Sequence, residues 1–122
     1  MKTCLLVDDS ATIRKAVRRM LEALELGVAE AGDGAEALQM LNATAYDAVI
    51  LDWNMPVMDG ITLLRHMRKD PALSGIPVIM STTEQDLARI GEALEAGADE
   101  YLMKPYDKET LEVKLSFAGV ID

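Results

Sequence analysis

The sequence predicts an α/β fold, a three-layer sandwich in which five parallel strands alternate with five helices. Five strongly apolar runs, at 4–7, 28–31, 47–51, 77–80 and 101–103, are separated by stretches with apolar residues at helical spacing. The connections are short, so right-handed crossovers put helices on both faces of the sheet. Polar and charged residues collect at the carboxyl ends of the runs, where an open parallel sheet places its chemistry.

The first run, ending in Leu5-Leu6-Val7, delivers Asp8-Asp9. Ser10 is placed to cap the first helix, whose inner face is Ile13, Val17, Met20, Leu21 and Leu24, with Gly27 as its stop. Gly34 opens a short second helix through Leu38 and Leu41. The third run, Ala48-Val49-Ile50-Leu51, is rich in strand-forming residues and delivers Asp52. Gly60 opens the third helix, which runs through Leu64 and Met67 and ends at Asp70-Pro71. Ser81 closes the fourth run. Thr83 with Asp86 resembles a capping box for a fourth helix whose inner face is Leu87, Ile90 and Leu94. Gly91 weakens that helix by about 1 kcal/mol relative to Ala. The fifth run, Tyr101-Leu102-Met103, delivers Lys104-Pro105, and Asp107 caps a fifth helix carrying Leu111, Leu115 and Ala118.

At 122 residues, half of them apolar, the chain is expected to form one ordered domain, with no repeat or linker. A net charge of −9 argues against nucleic acid and anionic membrane as partners. No apolar run approaches the roughly 20 residues of a membrane span, and the N-terminal run is too short for a secretory signal. The single cysteine, Cys4, reads as a packed, reduced core thiol rather than a redox centre. A cytoplasmic location is expected.

Three of the strand ends carry Asp8, Asp9, Asp52 and Lys104 into one crevice. Three carboxylates facing one ammonium are costly without a further positive charge, and a hard divalent cation supplies it. A turn-and-cap role explains Asp8-Asp9 only in part, since Ser10 already provides the cap. Asp52 has a turn residue as its plain alternative, and Lys104 a surface lysine. Beside a cation, however, Asp52 can act as a nucleophile toward phosphorus, with Lys104 pairing the phosphoryl group. A hydroxyl at Ser81 can donate to a phosphoryl oxygen. Tyr101 is either an ordinary half-buried aromatic or a ring that moves inward when Ser81 is drawn toward phosphate.

Asp8-Asp9, Asp52 within Asp-Trp-Asn-Met-Pro-Val-Met-Asp-Gly, Ser81, Tyr101 and Lys104-Pro105 together resemble the signature of the bacterial response-regulator receiver domain, of the chemotaxis type. The resemblance runs nearly end to end and depends on separate strand ends agreeing. It implies a flavodoxin-like sheet of order 2-1-3-4-5 and a receiver domain over residues 1–122 with no output domain. Asp52 is implied as acceptor of a phosphoryl group from a histidine kinase or histidine phosphotransfer protein, with slow autodephosphorylation. Asp9 and Asp52 are implied as Mg²⁺ ligands, with the Asn54 backbone carbonyl as a third and Asp8 acting mainly through water. Ser81 and Tyr101 match the switch pair, and Lys104 the phosphate-binding lysine, whose bond to Pro105 is usually cis. The implied output is phosphorylation-controlled binding of a downstream protein target through the fourth helix, fifth strand and fifth helix, by a chain that is a monomer when unphosphorylated. One departure is Thr82, where the family usually has a smaller residue. Its bulk is expected to narrow access to the phosphoryl site and alter rates, not chemistry.

Two other functional classes remain: a phosphate-independent interaction module of the same fold, and a Mg²⁺-dependent phosphohydrolase. Gly32-Asp33-Gly34-Ala35-Glu36-Ala37 also fits a dinucleotide-binding fingerprint, but it follows the second strand and sets Asp33 against a pyrophosphate. Asp8-Asp9-Ser10-Ala11-Thr12 approaches the haloacid-dehalogenase motif with its second acid one residue early. Arg14, Lys15, Arg18 and Arg19 form a basic helix face, either solvated or a docking surface for an acidic partner. His66 has no second histidine to share a metal. Trp53 is expected to be exposed. Val113 and Phe117 lie off the apolar stripe of the fifth helix, suiting a partner surface or the core's edge.

Overall fold

The computed structural model describes residues 1–83 and 87–122. Strands β1 (Thr3–Val7), β2 (Gly27–Ala31), β3 (Ala48–Asp52), β4 (Val78–Thr82) and β5 (Glu100–Met103) alternate with helices α1 (Ala11–Ala23), α2 (Gly34–Ala43), α3 (Gly60–Lys69), α4 (Leu87–Ala96) and α5 (Lys108–Phe117). The strands form one parallel sheet in the order β2-β1-β3-β4-β5, as expected.

Alternation along each strand builds the two cores. Cys4, Leu6, Ile50, Ile79 and Leu102 face α1 and α5, meeting Val17, Leu21, Leu111 and Leu115. Leu5, Val7, Val49, Leu51, Val78 and Met80 face the opposite layer, meeting Ala37, Leu41, Leu64, Met67 and Ala93. Every residue of β3 and β4 is buried, which is why those segments read as unbroken apolar runs. Each fully buried aliphatic side chain contributes about 1.5–3 kcal/mol. Among the described residues, no helix is long and apolar enough to cross a membrane.

Side-chain caps fix where the helices start. Ser10 accepts from the Ile13 N–H at 3.2 Å. Asp33, Asp59 and Asp107 accept from Glu36, Thr62 and Thr110 at 2.8, 3.0 and 2.8 Å. Each such cap is worth about 1 kcal/mol.

Some boundaries differ from the sequence expectation. Helix α1 stops at Ala23, and Glu25 takes the left-handed turn at φ 64°, so Gly27 begins β2 instead of ending the helix. β3 starts at Ala48 because Asp47 bonds back to Thr3, and β3 reaches Asp52 itself. β4 begins after Pro77, which has no N–H for the ladder, and includes Ser81 and Thr82. On α4 the inward position falls to Ala93 and not Leu94, which is 45% exposed. The small Ala93 lets α4 lie close to its neighbours α3 and β5. Ile90 is half-buried. Asp86 and the Leu87 side chain, assigned to a cap and an inner face, lie outside the described residues.

Helix α3 begins hard against β3. A Cβ on Gly60 would collide with the Asp52 carbonyl oxygen and stand 3.0 Å from the Trp53 Cα. Both obstacles are backbone and cannot yield as a flexible side chain does. Gly60→Ala is therefore expected to destabilise the fold by about 2–4 kcal/mol, measured by urea denaturation. A variant with wild-type stability would show that α3 can move away from β3.

Candidate functional site

β1 and β3 lie side by side where the strand order reverses direction, the place at which such sheets open a crevice. Asp8 leaves β1 there, and Asp52 is the last residue of β3. Asp8 is held on three sides. Its Oδ1 accepts from the Ser10 N–H at 2.9 Å, its Oδ2 from Lys104 Nζ at 2.6 Å, and its carbonyl from Arg14 Nη1. Lys104 also stands 3.1 Å from Asp52 Oδ1. Its backbone N–H is bonded to the Thr82 carbonyl at 2.8 Å, and the Lys104–Pro105 bond is cis. Asp9 is exposed, yet Asp8, Asp9 and Asp52 each present a carboxylate oxygen within 4.8 Å of the others. Asp8, Asp9, Asp52 and Lys104 thus meet as the sequence predicts.

One ammonium cannot balance three carboxylates. Burial, aided by the charges of Asp8 and Asp9, raises the Asp52 pKa above its ordinary value, although Lys104 opposes the shift. Burial also pulls against the Lys104 charge, but its bonds to Asp8 and Asp52 outweigh that and raise its pKa. The residual negative charge and the hard oxygen donors suit a small divalent cation.

The sign of the Asp52 shift gives a testable pH dependence. A carboxyl with a raised folded pKa binds its proton more tightly when folded, so stability falls as pH rises through the window above its ordinary 3.8. Asp52→Asn removes that titration. In chelator, the stability advantage of Asp52→Asn over wild type is expected to grow from about pH 4 to about pH 7. Urea denaturation at each pH checks this, and a flat difference would contradict it.

Ser81 lies directly opposite Asp52 in the β3–β4 register and is 2% exposed, as is Thr82. Asn54 is exposed on the loop leaving β3. Tyr101 is half-buried on β5, with Lys114 Nζ 4.5 Å from its ring centre. Lys114 also pairs with Glu100 at 3.1 Å.

Trp53 is buried, 5% exposed, contrary to expectation. Its N–H donates to the Ser81 carbonyl and its own carbonyl accepts from Gly60, which draws the ring into the core beneath α4. The basic face of α1 is also partly spent inside the molecule. Arg14 and Arg18 both grip Glu30 of β2, at 3.0 and 2.7 Å, leaving Lys15 and Arg19 exposed. Glu30 has a lowered pKa, chiefly through its bond to Arg18. Where β2 meets α2, three amides of the Gly32–Ala37 segment are occupied: Gly32 donates to Glu36, Glu36 to Asp33, and Gly34 to the Met58 carbonyl. No amide cradle for a pyrophosphate is left at those three N–H groups. Cys4 is fully buried, and burial pushes its thiol up to about 11. Val113 and Phe117 face solvent, at 48% and 73% exposure.

Two residues near the site were missed by the sequence reading. Tyr106, two residues past Lys104, lines a 270 Å³ apolar cleft with Ile13, Met20 and Pro105. Burial and the nearby Asp8 and Asp52 charges push its phenol pKa up. Its place just after Lys-Pro was the available signal. Arg89 lies over the Trp53 ring, 4.8 Å from its centre, and nothing in their 36-residue separation announced it.

Comparison with known proteins places this geometry. Residues 4–116 match the model of the response regulator receiver domain. The chemotaxis protein CheY-3 of Vibrio cholerae is 44% identical over 112 residues, covering 91% of this chain and 86% of that protein. CheY of Pseudomonas aeruginosa is 42% identical, covering 91% and 90%. Among solved structures, the chemotaxis response regulator CheY4 of Vibrio cholerae superposes with a TM-score of 0.90 at 36% identity, over 97% of this chain and 98% of that one. A putative response regulator from Chloroflexus aurantiacus gives 0.92 at 32%, over 97% and 98%. The acid-and-lysine crevice therefore sits on a fold and sequence shared nearly end to end with these proteins, and the chain belongs to the response regulator receiver domain family.

Proposed function

We propose that residues 1–122 act as a phospho-accepting switch in a two-component system, with Asp52 as the acceptor. The observation that carries this is the placement of Asp52 within 3.1 Å of Lys104 and within 4.8 Å of oxygens from Asp8 and Asp9. An oxygen of Asp52 attacks the phosphorus of a phosphohistidine on a histidine kinase or histidine phosphotransfer protein. The new O–P bond forms as the N–P bond breaks, and the imidazole leaves with that electron pair. Asp9, Asp52 and the Asn54 backbone carbonyl would hold Mg²⁺, with Asp8 acting mainly through water; the bound ion would neutralise the phosphoryl oxygens and keep Asp52 ionised. Lys104 pairs with the phosphoryl group once it arrives.

The added charge then has to be read. Ser81 lies opposite Asp52 and donates to the phosphoryl group, and Tyr101 on β5 follows. These shifts bias the β4 and β5 ends between two arrangements. A downstream protein binds one of them through α4, β5 and α5. Exposed Leu94, Val113 and Phe117 give that region apolar anchors.

The competing classes separate by stoichiometry. Mixed with Mg²⁺ and acetyl phosphate, a switch takes up one phosphoryl equivalent per chain in a burst, then releases phosphate slowly. A phosphohydrolase turns over many equivalents without a burst. An interaction module consumes none, even from a phosphohistidine donor.

A further inference from the structure

Trp53 is the only tryptophan in the chain and follows Asp52 directly. Its backbone is bonded to β4 through the Ser81 carbonyl at 3.0 Å and to α3 through the Gly60 N–H at 2.8 Å. Its ring reaches α4, where the Arg89 guanidinium stands 4.8 Å from the ring centre. One residue thus touches the acceptor strand, the strand of Ser81 and the fourth helix.

The Arg89 contact combines opposing contributions. A cation over an indole face is attractive, the more so away from water. Yet Arg89 Nη1 is buried without a hydrogen-bond partner among the described residues, and a desolvated donor left unmade is costly. The two effects are comparable in size and opposite in sign. A displacement of the ring that frees the guanidinium loses the first and relieves the second. Such near-balance is what a two-position element needs.

We infer that Arg89 is a positioning residue that couples the placement of α4 to the acceptor end of β3 through the Trp53 indole. The inference rests on the reading of Asp52 as phosphoacceptor. When Ser81 is drawn toward a phosphoryl group, the Trp53 N–H bonded to its carbonyl follows, and the ring slides out from under Arg89. The freed guanidinium regains water, and α4 loses a tether to the core. This route leaves from β3 and is separate from the one through Tyr101 on β5.

Acrylamide quenching of Trp53 emission tests it, on wild type, Arg89→Met and Arg89→Lys, each with and without Mg²⁺ and acetyl phosphate. Intact mass of the same samples reads phosphoryl occupancy. Without phosphate, Arg89→Met is expected to raise the quenching constant about twofold or more, while Arg89→Lys, which keeps a cation over the ring, stays near wild type. Phosphorylation is expected to raise the constant of wild type and Arg89→Lys but leave that of Arg89→Met unchanged. If Arg89→Met does not fold, Arg89→Gln repeats the comparison. A normal adduct with wild-type quenching in Arg89→Met, or with an undiminished phosphorylation shift, overturns the coupling alone. No adduct on wild type overturns the acceptor reading and the coupling with it.

Discussion

Replacing Lys104 with Met is expected to cost the fold about 3–5 kcal/mol at neutral pH in the presence of a chelator. The Lys104 side chain is 10% exposed, and its partners Asp8 and Asp52 are 4% and 10% exposed. Removing the ammonium leaves two buried carboxylates facing each other, with Asp9 alongside. That penalty is far larger than loss of a surface ion pair, which is worth about 0–1 kcal/mol. Mg²⁺ should recover part of the loss, because it neutralises the same oxygens. The variant should also bind Mg²⁺ more tightly than wild type, since ammonium and metal compete for one set of carboxylates. Urea denaturation with and without Mg²⁺ checks both points. A small loss that ignores the metal would mean that Lys104 and the acids are not electrostatically joined.

Asp9→Ala is expected to do the opposite, leaving stability nearly intact while removing function. Asp9 is exposed, and its carboxylate has no hydrogen bond or ion pair among the described residues, so its loss should change stability by no more than about 0.5 kcal/mol. It even relieves repulsion against Asp8 and Asp52. Yet it supplies one of the three clustered oxygens, and Mg²⁺ affinity is expected to fall by about 100-fold or more. Wild type at 100 times its dissociation constant gains about 2.7 kcal/mol from the ion, and Asp9→Ala at the same concentration should gain almost none. Thermal melts across a Mg²⁺ titration make the comparison. An unchanged metal response in Asp9→Ala would move the cation site elsewhere.

These contrasting effects explain what the sequence could disclose. Asp8, Asp52 and Lys104 were legible because each ends an apolar run, and a parallel sheet brings such ends together whatever the details of packing. The helix starts at Ser10 and Asp107 were legible because a cap is a local contact. Trp53 was misread because its burial depends on Gly60 and Arg89, one close in sequence but acting through α3, the other 36 residues away on α4. Arg14 and Arg18 looked like a free basic face because Glu30, which they hold, belongs to a strand whose position only the fold reveals. The rotation of α4 that exposes Leu94 and buries Ala93 likewise follows from packing on α3 and β5, not from the apolar spacing, which put Leu94 on the inner face. Local chemistry and strand ends survive translation from sequence; helix rotation and long-range pairing do not.

The central claim is that Asp52, in the crevice it shares with Asp8, Asp9 and Lys104, is the one group that takes a phosphoryl load. Intact mass after incubation with Mg²⁺ and acetyl phosphate reads this directly. The account predicts a single phosphoryl adduct on wild type that disappears with chelator, in Asp9→Ala and in Asp52→Ala. An adduct that persists undiminished in Asp52→Ala, or forms equally well without a divalent cation, would contradict it.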